Sequence, residues 1–326
     1  MQITERETTV FNGPVRLAGT LMLPVASGAH PAIILLHGSG PLTRYSFGPY
    51  PHFFTSLGFA VLIYDKRGTG QSTGERLDAS TGALSPLPAG YYPDDLVSDA
   101  QAVFEFLRRQ SEIDATKIGV WGSSEGGMLA TQVAARTKEV AFAIDSSGFM
   151  GPLWQTLLYQ AGANRKVQGM LAAQIDEARR FTELWLSVAR TGQDYDVFLK
   201  ERESARRENK TWLFDWFSDE FTSLEQMRWD WDHILSFSPL PALKDVKCPV
   251  LGVFGDMDVL TNASEAAKNM REALAESGNM DVTVKVFPNA GHSLAEMPAG
   301  NRMAPGVFGT LRSWLVTRVQ SAELVR

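Results

Sequence analysis

The run Ile118 to Met128, IGVWGSSEGGM, constrains this chain more than any other stretch. It reads as strand, sharp turn and helix. The turn is Gly122-Ser123-Ser124-Glu125-Gly126, a G-x-S-x-G pattern, and a helix-compatible run from Met128 to Arg136 follows it. A serine hydroxyl is a weak nucleophile at its free pKa, so it needs exposure and a base. A tight strand-to-helix reversal supplies the exposure by lifting Ser124 above a sheet. Gly122 and Gly126 have no Cβ to obstruct so tight a turn. The helix that follows aims its N-terminal amides where negative charge would develop. The competing reading is a plain glycine-rich βα turn, because small residues cluster in many loops.

The surrounding pattern decides the fold class. Ala32 to His37 (AIILLH) and Ala60 to Tyr64 (AVLIY) are continuous apolar runs, as expected of strands buried on both faces of a parallel sheet. Ala141 to Asp145, Cys248 to Gly255 and Val282 to Phe287 are further strands. Thr8 to Pro24 reads as a hairpin around Asn12-Gly13. Helices are expected near Tyr50 to Leu57, from Pro93 to Arg109, from Ala263 to Ser277 and from Ala304 to Val319. The segment from Leu77 to Tyr92, rich in Pro, Gly, Ala and Ser, reads as a surface loop. Strand and helix alternate as in a doubly wound, mostly parallel α/β sheet.

The alternation stops between about Ser147 and Ser238. Val167, Leu171, Ala178, Phe181, Trp185 and Val188 fall on one helical stripe there. Six of the eight tryptophans (Trp154, Trp185, Trp212, Trp216, Trp229 and Trp231) lie in the same stretch. Residues 147–238 are expected to be a helical insertion, a cap packed over the sheet's edge, with 1–146 and 239–326 as the core. The aromatics form the insertion's own small core, or a few of them line a substrate cavity.

A nucleophilic Ser124 needs a base and a group to orient it. Of the five histidines, only His292 follows a late buried strand in a Gly-flanked loop. His30 is expected in an exposed polar turn, and His37 is expected to brace its loop. His52 and His233 have no supporting context. Asp256 and Asp258 both qualify as the orienting acid, at the end of the strand before the histidine. Ser124, the acid and His292 all lie just beyond carboxyl ends of strands, where functional groups of open α/β sheets collect. The oxyanion donors are expected to be the backbone N–H groups of Glu125 and of Ser39 in Gly38-Ser39-Gly40. Losing one such donor typically costs about 10²- to 10³-fold in turnover.

Composition excludes other classes. The formal charge of −6 and the pI near 5.5 do not suit a nucleic-acid binder. The single cysteine, Cys248, permits no internal disulfide and reads as a small apolar residue. The first residues, MQITERETTVFNG, lack the basic and apolar regions of a signal peptide, and no run approaches a membrane span. The expectation is a cytoplasmic protein with no membrane partner. A homo-oligomer is compatible with the sequence.

The segments HGSG (37–40), DKRGTGQS (65–72), GSSEGG (122–127), CPVLGVFGDMD (248–258) and NAGHS (289–293) resemble the α/β-hydrolase superfamily over nearly the full length. The chain looks most like bacterial serine esterases with HGSGP after the first parallel strand and a helical cap. The resemblance implies an α/β-hydrolase fold and a triad of Ser124, Asp258 and His292, its G-x-x-D pattern selecting Asp258 over Asp256. It also implies that Arg67 braces the fold. Family members often have His before the nucleophile, where this chain has Ser123. The implied activity is hydrolysis of a small-molecule carboxylic ester without metal or cofactor. The same triad would serve an acyl-CoA thioesterase or a peptidase-like hydrolase. A non-catalytic binding protein on this fold is the reading from another class.

Overall fold

The computed structural model describes residues 2–75, 92–214 and 223–320. The surface loop expected over 77–92 lies outside them except for Tyr92, and so does Trp216. Strands β1 (Ile3–Asn12) and β2 (Val15–Pro24) form the expected hairpin, with Asn12 paired to Val15. Gly13 takes φ +55° in its two-residue turn, the left-handed backbone that glycine adopts without penalty. Strand β3 (His30–Leu36) lies between β4 (Ala60–Tyr64) and β5 (Ile113–Ser123) and is parallel to both. Strands β6 (Ala143–Ser146), β7 (Val250–Gly255) and β8 (Val282–Phe287) continue the parallel set. Among the described residues, these form one eight-stranded sheet in the order β1-β2-β4-β3-β5-β6-β7-β8.

Both faces of the sheet are covered, which is why Ala32 to Leu36 of β3 and Ala60 to Tyr64 of β4 are unbroken apolar runs. Ile34 and Leu36 belong to one core cluster, Ile33 and Leu35 to the other. Helix α1 (Tyr50–Ser56) covers the second face through Phe54. Helix α2 (Asp94–Arg108) covers the first, with Asp94 and Asp95 in its first turn and Arg108 in its last, complementing the dipole. Helix α3 (Glu125–Arg136) packs beside α2 on that face through Met128 and Val133. His30 corrects an expectation. It opens β3 and is buried, its N–H bonded to the Glu112 carbonyl at 2.8 Å, because the preceding turn ends at Ala29.

Between β6 and β7 the chain forms α4 (Leu153–Val167), α5 (Ala172–Thr191), α6 (Tyr195–Arg207) and α7 (Leu224–Asp230). The single stripe expected from Val167 to Val188 is two helices. Gly169 at φ +74° closes α4, and the Gln174 side chain accepts from Leu171 N–H to start α5. Val167 and Leu171 therefore face water, while Ala178, Phe181, Trp185 and Val188 are buried. The inserted helices do not have a separate core. Trp185, Phe181 and Leu157 belong to the same buried cluster as Val97 and Met128 of the sheet's helices. Helix α4 lies over the carboxyl ends of the strands, where Tyr159 donates to the Asp258 carbonyl at 2.6 Å and Gln160 to the Leu260 carbonyl at 2.9 Å.

Helices α8 (Ala263–Glu276) and α9 (Val307–Leu315) close the two faces, through Met270 and Leu274 and through Leu311 and Trp314. Phe308 is only partly buried and packs its ring against Phe53, tilted by 35°. Burial pushes the Cys248 thiol up to about 12, so it is not a reactive thiolate. Among the described residues, no helix is long and apolar enough to cross a membrane.

Candidate active site

Ser124 sits between β5 and α3 with φ +59° and ψ −124°, a conformation L-residues rarely adopt. Hydrogen bonds on both sides hold it there. Its N–H donates to the Ser146 carbonyl at 2.8 Å, and its carbonyl accepts from Gly127 N–H at 2.9 Å. The glycines are needed for close approach. A Cβ on Gly122 would lie 1.9 Å from the Gly126 oxygen, and one on Gly126 would lie 2.1 Å from the Leu36 oxygen. These residues form a strained turn rather than a generic βα loop.

His292 follows β8, and its Nδ1 lies 2.7 Å from Asp258 Oδ2. A carboxylate only accepts, so Nδ1 carries a proton and is the donor in this contact. Among the described residues, Nε2 has no hydrogen-bond partner. Asp258 is buried, and its Oδ1 accepts from Leu260 N–H at 2.7 Å and Thr261 N–H at 2.9 Å. Asp256 is exposed to solvent. The local turn after β7 thus aims Asp258 inward and Asp256 outward, and only Asp258 reaches the imidazole.

Ser124, His292, Ser39 and Glu125 line one cavity of about 160 Å³. Its remaining wall is Phe149, Leu153, Thr156, Leu157, Gln160, Leu260 and Thr261, largely from α4 and the loop before it. None of the described tryptophans of the insertion lines it. The sequence pointed to the tryptophans, whereas Leu153, Thr156, Leu157 and Gln160 of α4, with Phe149 before it, form most of the wall. Nothing in a helical repeat marks which turn of a helix lies over the serine.

The other histidines have different roles. His37 is buried, and its Nε2–H donates to the Thr43 carbonyl at 3.0 Å, bracing the loop as expected. Burial and the nearby Lys66 charge lower its pKa to about 3, so it stays neutral. His233 Nδ1 bonds the Trp229 carbonyl at 2.9 Å, and its ring stacks on Trp229. His52 is exposed. Arg67 forms a two-pronged pair with Asp99, 2.7 Å at each contact, which anchors the DKRGTGQS loop to α2.

Two groups near the serine carried no functional signal in the sequence. Asp145, at the end of β6, is wholly buried, and its Oδ1 accepts from Gly148 N–H at 2.7 Å. Burial raises its pKa to about 7. Lys66 reaches from its loop to the carbonyl of Gly38 at 2.9 Å and to Glu125. Among the described residues, no group of three His, Cys, Asp or Glu side chains is arranged to hold a metal ion.

The model of the "Alpha/beta hydrolase family" matches residues 33–300, from β3 through the loop that carries His292. The chain belongs to this family. Its eight-stranded, mostly parallel sheet with helices on both faces is the α/β-hydrolase fold. Membership assigns it to the hydrolases. An uncharacterized 31.7 kDa protein of Escherichia coli is 27% identical over 266 residues, covering 79% of this chain and 83% of the relative. Esterase EstD of Thermotoga maritima is 31% identical over 141 residues, covering 41% of this chain and 30% of the esterase. Among solved structures, an esterase of Pyrococcus furiosus aligns with a TM-score of 0.60 at 18% identity. That alignment covers 98% of this chain and 91% of the esterase. A proline iminopeptidase of Mycobacterium smegmatis aligns with a TM-score of 0.62 at 20% identity, covering 98% and 100%. At such identities the structural likeness speaks for the fold alone.

Proposed function

We propose that this hydrolase cleaves small carboxylic esters through an acyl-enzyme on Ser124. One observation carries the reading: Ser124 shares a cavity with an imidazole whose Nδ1 is held by a buried carboxylate and whose Nε2 has no partner among the described residues. His292 Nε2 takes the Ser124 proton as Oγ attacks the acyl carbonyl. Asp258 stabilises the imidazolium that forms. The N–H groups of Ser39 and Glu125 receive the oxyanion, His292 protonates the leaving alcohol, and water then releases the acyl group.

Residues 147–238 act as a cap in this reading, with α4 as the roof of the acyl site. The cavity of about 160 Å³ is close to the ~150 Å³ that holds a benzene ring in a protein interior. Leu153, Leu157 and Phe149 give it an apolar wall. Short, unbranched acyl groups of up to about six carbons suit that volume.

The test is hydrolysis of p-nitrophenyl esters from acetyl to decanoyl by wild type and Ser124→Ala. Turnover should peak at short acyl groups and fall by at least about 10⁴-fold in the variant. Asp258→Asn should be severely impaired, and Asp256→Asn should behave as wild type. Turnover that survives Ser124→Ala sinks the proposal. Turnover confined to thioesters or amides would keep the nucleophile and change the substrate.

A further inference from the structure

Lys66 and Glu125 form an ion pair with both side chains almost completely buried, Nζ to Oε2 2.5 Å. Ion pairs out of water are costly and are weak evidence for stability. The position of this one suggests what it does. Lys66 also donates to the Gly38 carbonyl at 2.9 Å and approaches the Gly40 carbonyl at 3.5 Å. These contacts join the loop that contains Ser39 to the residue that follows the nucleophile.

The Gly38–Ser39 peptide is trans, so its carbonyl and its N–H point to opposite sides. Holding the carbonyl on Lys66 turns the Ser39 N–H away from Lys66. Ser39 lines the Ser124 cavity, and its N–H meets no acceptor among the described residues. Gly38 lies directly against the nucleophile: a Cβ built on it would be 3.3 Å from Ser124 Cβ and 3.8 Å from Ser124 Oγ. A peptide next to glycine flips readily, because glycine tolerates both orientations of its backbone. An ammonium on the carbonyl selects one orientation and polarises the amide on the other side.

We infer that Lys66 and Glu125 are positioning residues that set the oxyanion site: Lys66 fixes the Gly38–Ser39 peptide, and Glu125 ties Lys66 to the residue bearing the second donor. The inference rests on the serine-hydrolase reading above. Neither side chain touches the reacting atoms. Their effect is confined to the stage at which the carbonyl oxygen becomes an anion.

The experiment compares wild type with two double variants, Lys66→Met/Glu125→Leu and Lys66→Met/Glu125→Gln. Removing both partners leaves no stranded charge, so these variants keep the fold that Lys66→Met alone would endanger. Either one that folds decides the matter. Two readouts are taken: kcat and KM on a short p-nitrophenyl ester, and affinity for n-butylboronic acid. The boronate's tetrahedral adduct with Ser124 places an oxygen in the oxyanion site without needing turnover. The expected result is kcat about 10²-fold lower with KM within a few-fold, and boronate affinity weakened by a similar factor. A folded double variant with wild-type kcat and boronate affinity overturns the inference and leaves the pair a structural brace. If wild type binds the boronate through Ser124 yet hydrolyses no ester, the boronate arm alone decides. If wild type neither hydrolyses esters nor binds the boronate, the serine-hydrolase reading falls and this inference falls with it.

Discussion

Strand β3 buries every side chain from Ala32 to Leu36, whereas α5 buries Ala178, Phe181, Trp185 and Val188 and exposes Arg179, Arg180 and Glu183. The two segments belong to one continuous core but read differently in the sequence. A central strand meets helices on both faces, so its burial shows as an unbroken apolar run. A helix of the insertion meets the core on one stripe, and the same spacing can continue past the helix end into exposed residues. Val167 and Leu171 did that, and only the Gly169 turn reveals the break. The difference shows where a substitution should be global and where it should be absorbed.

The largest effect is expected at the serine turn. Gly126→Ala places a methyl 2.1 Å from the Leu36 carbonyl oxygen and 2.6 Å from that of His37, backbone atoms rather than the end of a flexible side chain. It should destabilise by about 4 kcal/mol or more and abolish activity, read by urea unfolding and ester hydrolysis. A variant that folds and turns over normally would mean the turn is far softer than its geometry suggests. Trp185→Ala comes next. This side chain is 1% exposed within the shared core, and its loss should cost about 3–5 kcal/mol. One cooperative transition is expected, because the insertion has no core of its own. A separate early transition for the inserted helices would break the comparison.

Two buried groups beside the serine give opposite pH dependences. Asp145 has its pKa raised from 3.8 to about 7. The folded protein therefore holds a proton that the unfolded chain releases, and stability falls as pH rises from about 4 to about 7. His37 has its pKa lowered from 6.5 to about 3. Its contribution is fully present above 6.5 and is lost as pH falls toward 3. The two slopes oppose each other between about pH 4 and 6.5. Asp145→Asn should remove the first and raise stability at pH 7.5 by on the order of 2 kcal/mol. Unfolding midpoints at pH 5 and 7.5 check this. An unchanged difference between the two pH values would show that Asp145 does not titrate in this range. The smallest effect is expected on the exposed side of the helix break. Leu171→Lys should change stability by no more than about 0.5 kcal/mol, and a larger loss would mean that this residue packs after all.

The elements around the site were legible because each signal was local. The strands at 60–64 and 282–287 match the sequence reading to the residue. The serine turn announced itself through two glycines whose Cβ atoms have no room. Asp256 and Asp258 could not be separated by their own spacing, since both follow the same strand. Their opposite directions after β7 separate them. Lys66 lay inside a segment read as a structural brace, and its link to Glu125 joins residues 59 positions apart. No local pattern carries such a contact.

The sequence by itself determined the α/β architecture, the hairpin, the turn that carries Ser124 and the three strand ends that supply the serine, acid and histidine. Those follow from short-range physics: apolar runs, turn chemistry and backbone sterics. Only the tertiary structure decided that α4, not the tryptophans, walls the cavity. It also decided that the insertion shares the sheet's core and that Lys66 braces the Ser39 peptide. These depend on which helix turn lies over which strand end, and that is selected by the summed packing of many distant side chains rather than by any one segment.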